Sequence, residues 1–136
     1  MNSHRLALRI KDQIKKAGKL VGIQQFNSEE SFSNIYNESK HKRYDPPVYA
    51  LGLVYFDPTP ELLNEAGMTK DEAMVLVKFS ALILMEKRLI RPNGEIVFNQ
   101  DDLLIIDNQE YDIKRIRKAV HYQQHHIIYV GTVRMG

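Results

Sequence analysis

The sequence predicts an α+β chain: a small antiparallel β-barrel or sandwich with an N-terminal amphipathic helix and one or two short helices. Three observations predict it. Between Glu95 and Val133, four short apolar runs are separated by turn chemistry, the spacing of a compact β-domain. Up to Val21, apolar side chains recur at helical spacing. The length of 136 residues, with 43% hydrophobic and 26% charged side chains, suits one ordinary globular domain. Within it, residues 1–26 read as a peripheral helix, 27–47 as a long polar loop and 48–136 as a β-rich core with short helices.

In the opening segment, Leu6, Ile10, Ile14, Ala17 and Val21 fall in one arc at helical spacing, while Arg9, Lys11, Lys15, Lys16 and Lys19 lie opposite. Ser3 is the candidate N-cap, and Gly18 and Gly22 are the candidate stops. Asn27 to Arg43 then holds few apolar residues and no clear period, apart from Phe32, Ile35 and Tyr36. Structureless connections of that length are uncommon and are often functional or disordered. Asp45-Pro46-Pro47 forces an extended entry into a strand over Val48–Phe56. Thr59, Pro60 and Gly67 mark the cap, first position and stop of a short helix with Leu62, Leu63 and Ala66 on one side.

Residues 69–90 admit two readings. Thr69 with Glu72 resembles a capping box, which would start one continuous helix. Alternatively Met74–Phe79, β-branched and aromatic, forms a strand and Ser80 caps a fresh helix to Arg88; this second reading is preferred. Pro92-Asn93-Gly94 is a turn. Strands are expected over Glu95–Phe98, Asp102–Ile106, Glu110–Ile116 and His126–Val133. Asp107-Asn108 joins the middle two as a hairpin, and His121–His125 forms a longer turn.

Little catalytic chemistry is visible. The absence of cysteine removes disulfides, thiolate metal sites and cysteine nucleophiles, and fits a reducing compartment or a particle assembled in one. His121, His125 and His126 invite a metal reading, but neighbouring strand residues point to opposite faces, so solvated turn histidines are preferred. The carboxylate pairs Glu29-Glu30 and Asp101-Asp102 lack an identifiable nucleophile or positioned partner. No phosphate loop, nucleophile elbow or HExxH motif occurs. Neither an enzyme, a metal site nor a cofactor is expected. The N-terminus lacks the pattern of a secretory signal, and no apolar run suits a membrane span.

Charge is more informative. Met1–Leu20 holds six basic residues and one acid, Asp12, while Glu95–Asp112 holds six acids and no Lys or Arg. Such a dipolar chain can pair end to end with its own copies, with Arg5, Arg9 and Lys16 meeting Asp101, Asp102 and Asp107, or can pair the two regions internally. A second cluster, Lys114, Arg115, Arg117 and Lys118, with Tyr111, Tyr122 and Tyr129 nearby, suits a small barrel that binds single-stranded nucleic acid. Its bland alternative is a strand edge guarded by cations. A cellular adaptor module is a third reading.

Residues 48–136 resemble the head-to-tail connector proteins of tailed bacteriophages, the neck, stopper or head-completion proteins. The resemblance is carried by Met74–Ser80, the Glu86-Lys87-Arg88-Leu89 helix end, the ladder Asp102–Asp107 with Glu110-Tyr111-Asp112-Ile113, and the closing Ile127-Ile128-Tyr129-Val130. The Pro58-Thr59-Pro60 helix with Leu62-Leu63 and Gly67 fits too. The chain departs from the pattern at Asn108-Gln109, where a turn glycine is usual. The resemblance implies a structural virion protein, assembled in the host cytoplasm. It would form a ring of copies in the neck, with a portal or adaptor protein above and a tail protein below. It further implies that a long loop, here with Lys40, His41, Lys42 and Arg43 at its tip, reaches the channel or a neighbouring ring and touches packaged DNA without reading its sequence.

Overall fold

The computed structural model describes residues 3–26, 44–121 and 125–135; the side chains of 3–8, 10, 120, 121, 125 and 126 lie outside the description. Six antiparallel strands, β1 (Lys19–Gln24), β2 (Val48–Tyr55), β3 (Val75–Ser80), β4 (Leu103–Ile106), β5 (Gln109–His121) and β6 (His125–Arg134), close into a barrel. Around the barrel the order is β1-β2-β3-β6-β5-β4, and Gly22 of β1 pairs with Ile105 of β4 to complete the circuit. Closure gives every strand a partner on each side, although β5 beyond Asp112 pairs with β6 alone. Helices α1 (Ser3–Ala17), α2 (Pro60–Ala66) and α3 (Ala81–Glu86) are added to it.

The opening helix is shorter than its periodicity suggests. It ends at Ala17, where the Gly18 amide donates to the Ile14 carbonyl at 2.7 Å. A Cβ at Gly18 would lie 2.3 Å from that same oxygen, so the bend accepts only glycine. Val21 and Gly22 therefore belong to β1 and not to the helix, and the stretch 1–26 contains a stave of the barrel. The reason is tertiary. Val21 and Ile23 alternate toward the core while pairing with β2 and β4, and this outweighs local helical spacing. Of the apolar arc in α1, Ile14 is fully buried and Ala17 is exposed, while Leu6 and Ile10 lie outside the described side chains.

Strand β3 is buried on both faces. Val75, Val77 and Phe79 enter the main core, whereas Leu76 joins Ala66, Met68, Ala73, Ile127 and Tyr129 in a second cluster beneath α2. The strand-then-helix reading of residues 69–90 is the one observed. Thr69 and Glu72 do make the capping contact, the Thr69 amide donating to Glu72 Oε1 at 2.9 Å, but it closes one turn and no helix follows. Ser80 stands at the N-cap of α3 with extended backbone, yet its side chain makes no capping hydrogen bond. For α2 the sequence signals hold in detail. Thr59 accepts from the Leu62 amide at 3.2 Å, Pro60 opens the helix and Gly67 ends it with φ of 68°.

In the C-terminal ladder, Glu95–Phe98 is not a strand; its pairing is the isolated bridge Ile90↔Ile96, set by the turn at Arg91–Gly94. Asp107 and Asn108 both have positive φ, 51° and 64°, between the paired residues Ile106 and Gln109. This is a two-residue type I′ hairpin, in which asparagine takes the left-handed position that glycine usually holds. Strand β5 runs past the expected Ile116 to His121, with a bulge between Ile113 and Arg115 that lets Ile113 and Ile116 both serve the core.

Gly131 of β6 marks where the 68–73 segment presses on the barrel. A Cβ there would lie 2.5 Å from the Glu72 carbonyl oxygen and 2.7 Å from Met68 Sδ. The first contact is with backbone and cannot relax cheaply. Gly131→Ala is expected to cost about 1–3 kcal/mol, read as a lowered urea midpoint with the slope unchanged.

Candidate functional site

The chain offers two charged surfaces, one on the strands β1, β4 and β5 and one on the helices α1 and α3. On the first, Tyr111 and Ile113 turn into the core, so Glu110 and Asp112, alternating with them, face out. Beside these acids runs an apolar groove lined by Lys19, Leu20, Tyr49, Ile105, Asp107 and Asn108. Gly22 lets two of these side chains approach: a Cβ at that position would lie 3.1 Å from the Tyr49 ring and 3.2 Å from Ile105 Cβ. Leu20 is 62% exposed and Tyr49 45%.

At one end of this face the segment 27–43 leaves and returns. Phe26 and Tyr44 form an antiparallel bridge with their rings edge to face at 5.8 Å, and the Asp45 amide donates to the Gln25 carbonyl at 2.8 Å. Asp102 pins this base. Its Oδ1 accepts from the Phe26 amide and its Oδ2 from the Asn99 amide, each at 2.7 Å. Burial raises the Tyr44 phenol above its ordinary value, and the charges of Asp112, Asp102, Glu110 and Asp101 raise it further.

The second surface is cationic. Helix α1 packs against β2, β3, β6 and α3 and continues through Gly18 into β1. Arg9, Lys15, Lys16, Lys87 and Arg88 are exposed on α1 and the end of α3, and none makes an ion pair among the described residues. Lys11, partly covered, bonds Glu86 and joins the two helices. Met85, 41% exposed, adds an apolar patch to this face.

The residues named from sequence are placed unevenly. Asp102 is 4% exposed and holds two backbone amides, so it leaves the set of subunit contacts and becomes an internal staple. Asp107 pairs with Lys19 at 2.9 Å, the internal alternative for the two charged regions, at the rim of the groove. Asp101, Arg9 and Lys16 are exposed. Arg5, Lys40, His41, Lys42 and Arg43 lie outside the described residues or side chains, as do the histidines at 121, 125 and 126. No group of metal-ligating side chains forms among the described residues.

The second basic cluster is largely spent within the chain. Arg115 pairs with Glu72 at 3.2 Å, Arg117 donates to the Glu65 carbonyl at 2.9 Å and Lys118 to the Gly94 carbonyl at 3.0 Å; Lys114 is exposed. Arg117 thereby ties down the C-terminal end of α2. The rings proposed for stacking are not offered either. Tyr111 and Tyr129 are buried, and Tyr122 lies outside the described residues. Desolvation pushes the Tyr129 phenol far above its ordinary value, reinforced by the Glu65 carboxylate that it meets beneath α2.

The carboxylates make a pH prediction. Burial raises the Asp102 carboxyl, more than its two amide hydrogen bonds lower it, and the charges of Asp101 and Asp45 push the same way. Glu72 is lowered, first by the Thr69 amide and then by Arg115; Glu86 is lowered by Lys11. A raised Asp102 contributes stability that is present below the ordinary aspartate value and lost as pH rises through its folded value. Lowered Glu72 and Glu86 contribute the reverse, lost as pH falls through their folded values, and weakly because both are exposed to solvent. Carboxyl-carbon NMR titration is expected to place Asp102 above the ordinary aspartate midpoint and both glutamates below theirs.

Sequence reasoning found the acids of this face but missed the groove. Leu20 falls in the stretch 1–26 that reads as a helix, and Tyr49 in the apolar strand over Val48–Phe56, where nothing local marks it as exposed. The signal was Gly22, a glycine within an otherwise apolar run, which marks a close approach in a strand. No family model, curated protein or solved structure matches the chain.

Proposed function

We propose that this chain is a structural protein of the virion neck in a tailed bacteriophage, forming a ring of copies between the portal or an adaptor protein and the tail, and helping to retain packaged DNA. The observation that carries the reading is the ladder of β4, β5 and β6. The segments whose sequence resembles the connector proteins fold as one continuous antiparallel sheet within a closed barrel. In this reading the N-terminal segment is an amphipathic helix, and segment 27–43, whose base is pinned by Asp102 and the Phe26–Tyr44 bridge, extends Lys40, His41, Lys42 and Arg43 toward the channel or the next ring. Cations there meet phosphate without sequence preference. The protein turns nothing over. Repetition around a ring multiplies modest contacts into a durable seal.

The nucleic-acid reading has less support, since three of the four β5 cations already donate to groups of their own chain. Deletion of residues 28–42 tests the connector reading. It leaves Asn27-Arg43 as a two-residue link across the Phe26↔Tyr44 bridge, a length that suits a tight hairpin. The chain is expected to fold, while particles carrying it lose DNA or fail to join tails. Normal, infectious particles would remove the reading.

A further inference from the structure

We propose that β5 takes up an added strand along its open edge beyond Asp112, and that the partner is an extended segment of another protein in which apolar and carboxylate side chains alternate. The inference goes beyond the connector reading and stands without it.

β4 pairs with β5 from Gln109 to Asp112, whereas β6 follows β5 on to His121. From Ile113 onward β5 has one neighbour, and alternate N–H and C=O groups along it point away from β6. Among the described residues, no other segment hydrogen-bonds to the backbone of 113–119. The cause is the turn before β4. The Asp102 amide donates to the Asn99 carbonyl at 3.1 Å, its carboxylate takes the Asn99 amide, and the Asp101 amide donates to Asn99 Oδ1 at 2.8 Å. The chain that would have prolonged β4 alongside β5 therefore folds away from it. A cleft lies there, lined by Phe98, Asn99, Gln100, Asp101 and Ile116.

The open backbone fixes the conformation of the occupant, because only an extended segment matches its N–H and C=O groups to a strand edge. The side chains fix its chemistry. Beyond the bulge, Ile116 packs on the main core and Lys118 reaches the Gly94 carbonyl on one face of β5. On the other face Arg115 meets Glu72, Arg117 meets the Glu65 carbonyl and Ala119 joins the second cluster. An added strand alternates in the same way. One set of its side chains lies beside Ile116 over the cleft and suits apolar groups; the other lies beside the arginines and suits carboxylates. Lys114, Arg117 and Lys118 have no carboxylate partner among the described residues, and Asp101 is the one acid of the cleft lining. The carbonyls bonded by Arg117 and Lys118 occupy donors but leave the charges uncompensated. A second copy is the wrong occupant, since two β5 edges side by side would set these cations against each other. The bulge and the exposed Lys114 guard the edge against indiscriminate pairing while leaving it attractive to an acidic strand.

The test is amide hydrogen exchange of the full chain with a synthetic peptide of about eight residues that alternates glutamate and valine. The peptide is N-methylated at every second residue, so that one edge can pair and the other cannot stack on a further peptide. In the free chain, every second amide of 114–119 is expected to exchange fast and those paired with β6 slowly. The peptide at millimolar concentration is expected to slow the fast set by at least about tenfold, the mark of a new ladder. A lysine–valine peptide, or the acidic peptide methylated at every residue, is expected to leave it fast. Lys114→Glu, at an exposed position, is expected to weaken binding of the acidic peptide by about fivefold. Slow exchange of the whole set in the free chain would overturn the proposal, because the edge would already be filled. So would fast exchange that the acidic peptide leaves unchanged, equal slowing by the lysine peptide, or an unaltered affinity in Lys114→Glu. Slowing of these amides by self-association, or by a single-stranded oligonucleotide where the peptide does nothing, would overturn it in favour of a different occupant.

Discussion

Phe79→Ala is expected to lower stability by about 3–5 kcal/mol, a large share of the 5–15 kcal/mol typical of a whole domain. Phe79 is fully buried in β3, and its ring fills space that Gly52 on β2 leaves open. A Cβ at Gly52 would lie 2.9 Å from Phe79 Cε1 and 2.9 Å from Val77 Cγ1. Ring and glycine are thus one packing unit across neighbouring strands. Gly52→Ala overfills that unit and is expected to cost about 1–3 kcal/mol. Combined with Phe79→Leu, the two changes should cost less than the sum of the single effects, because the smaller side chain vacates the overfilled space. Urea unfolding of the four chains of this cycle measures the coupling. Strict additivity would show that Gly52 and Phe79 do not share the space.

Asp102→Ala is the second large effect. It leaves the amides of Phe26 and Asn99 without their acceptor, and each orphaned donor costs roughly 1–3 kcal/mol. Both bonds are part-buried, so the sum is expected near the low end, about 2–3 kcal/mol. Asparagine at this position retains one acceptor and places an amide donor against the second N–H, so Asp102→Asn is expected to recover only about half. Amide hydrogen exchange at Phe26 and Asn99 reads the loss directly. Both are expected to lose protection in the alanine variant, together with Asp45, whose amide bonds Gln25 beside the same staple. Unchanged protection would mean that the base of segment 27–43 is held by the Phe26–Tyr44 bridge and not by Asp102.

How legible these features were depended on whether a local signal agreed with the tertiary one. Helix α2 was fully legible because its cap, first position and stop are each a local steric requirement met by Thr59, Pro60 and Gly67. The β4–β5 hairpin was legible for the same reason: Asp107-Asn108 supplies both left-handed positions. Strand β3 left two readings open, since burial on both faces erases the alternation that identifies a strand. At the N-terminus Val21 satisfied a helical period and a strand period at once, and only the pairing with β2 and β4 decided between them. The site was partly legible. Opposed charge blocks are visible in a sequence, but the groove of Leu20, Tyr49 and Ile105 depends on the strand order β1-β2-β3-β6-β5-β4, which sets β4 beside β1 and which no local pattern encodes. Asp102 illustrates the limit. As one of two adjacent acids it reads as surface, and its burial follows from the chain returning across it at Phe26.

The most direct measurement is electron cryomicroscopy of virions in which this chain carries a dense label at its C-terminus. The expected result is one ring of label at the junction of head and tail. Label spread over the capsid or along the tail, or absent from the particle, would contradict it.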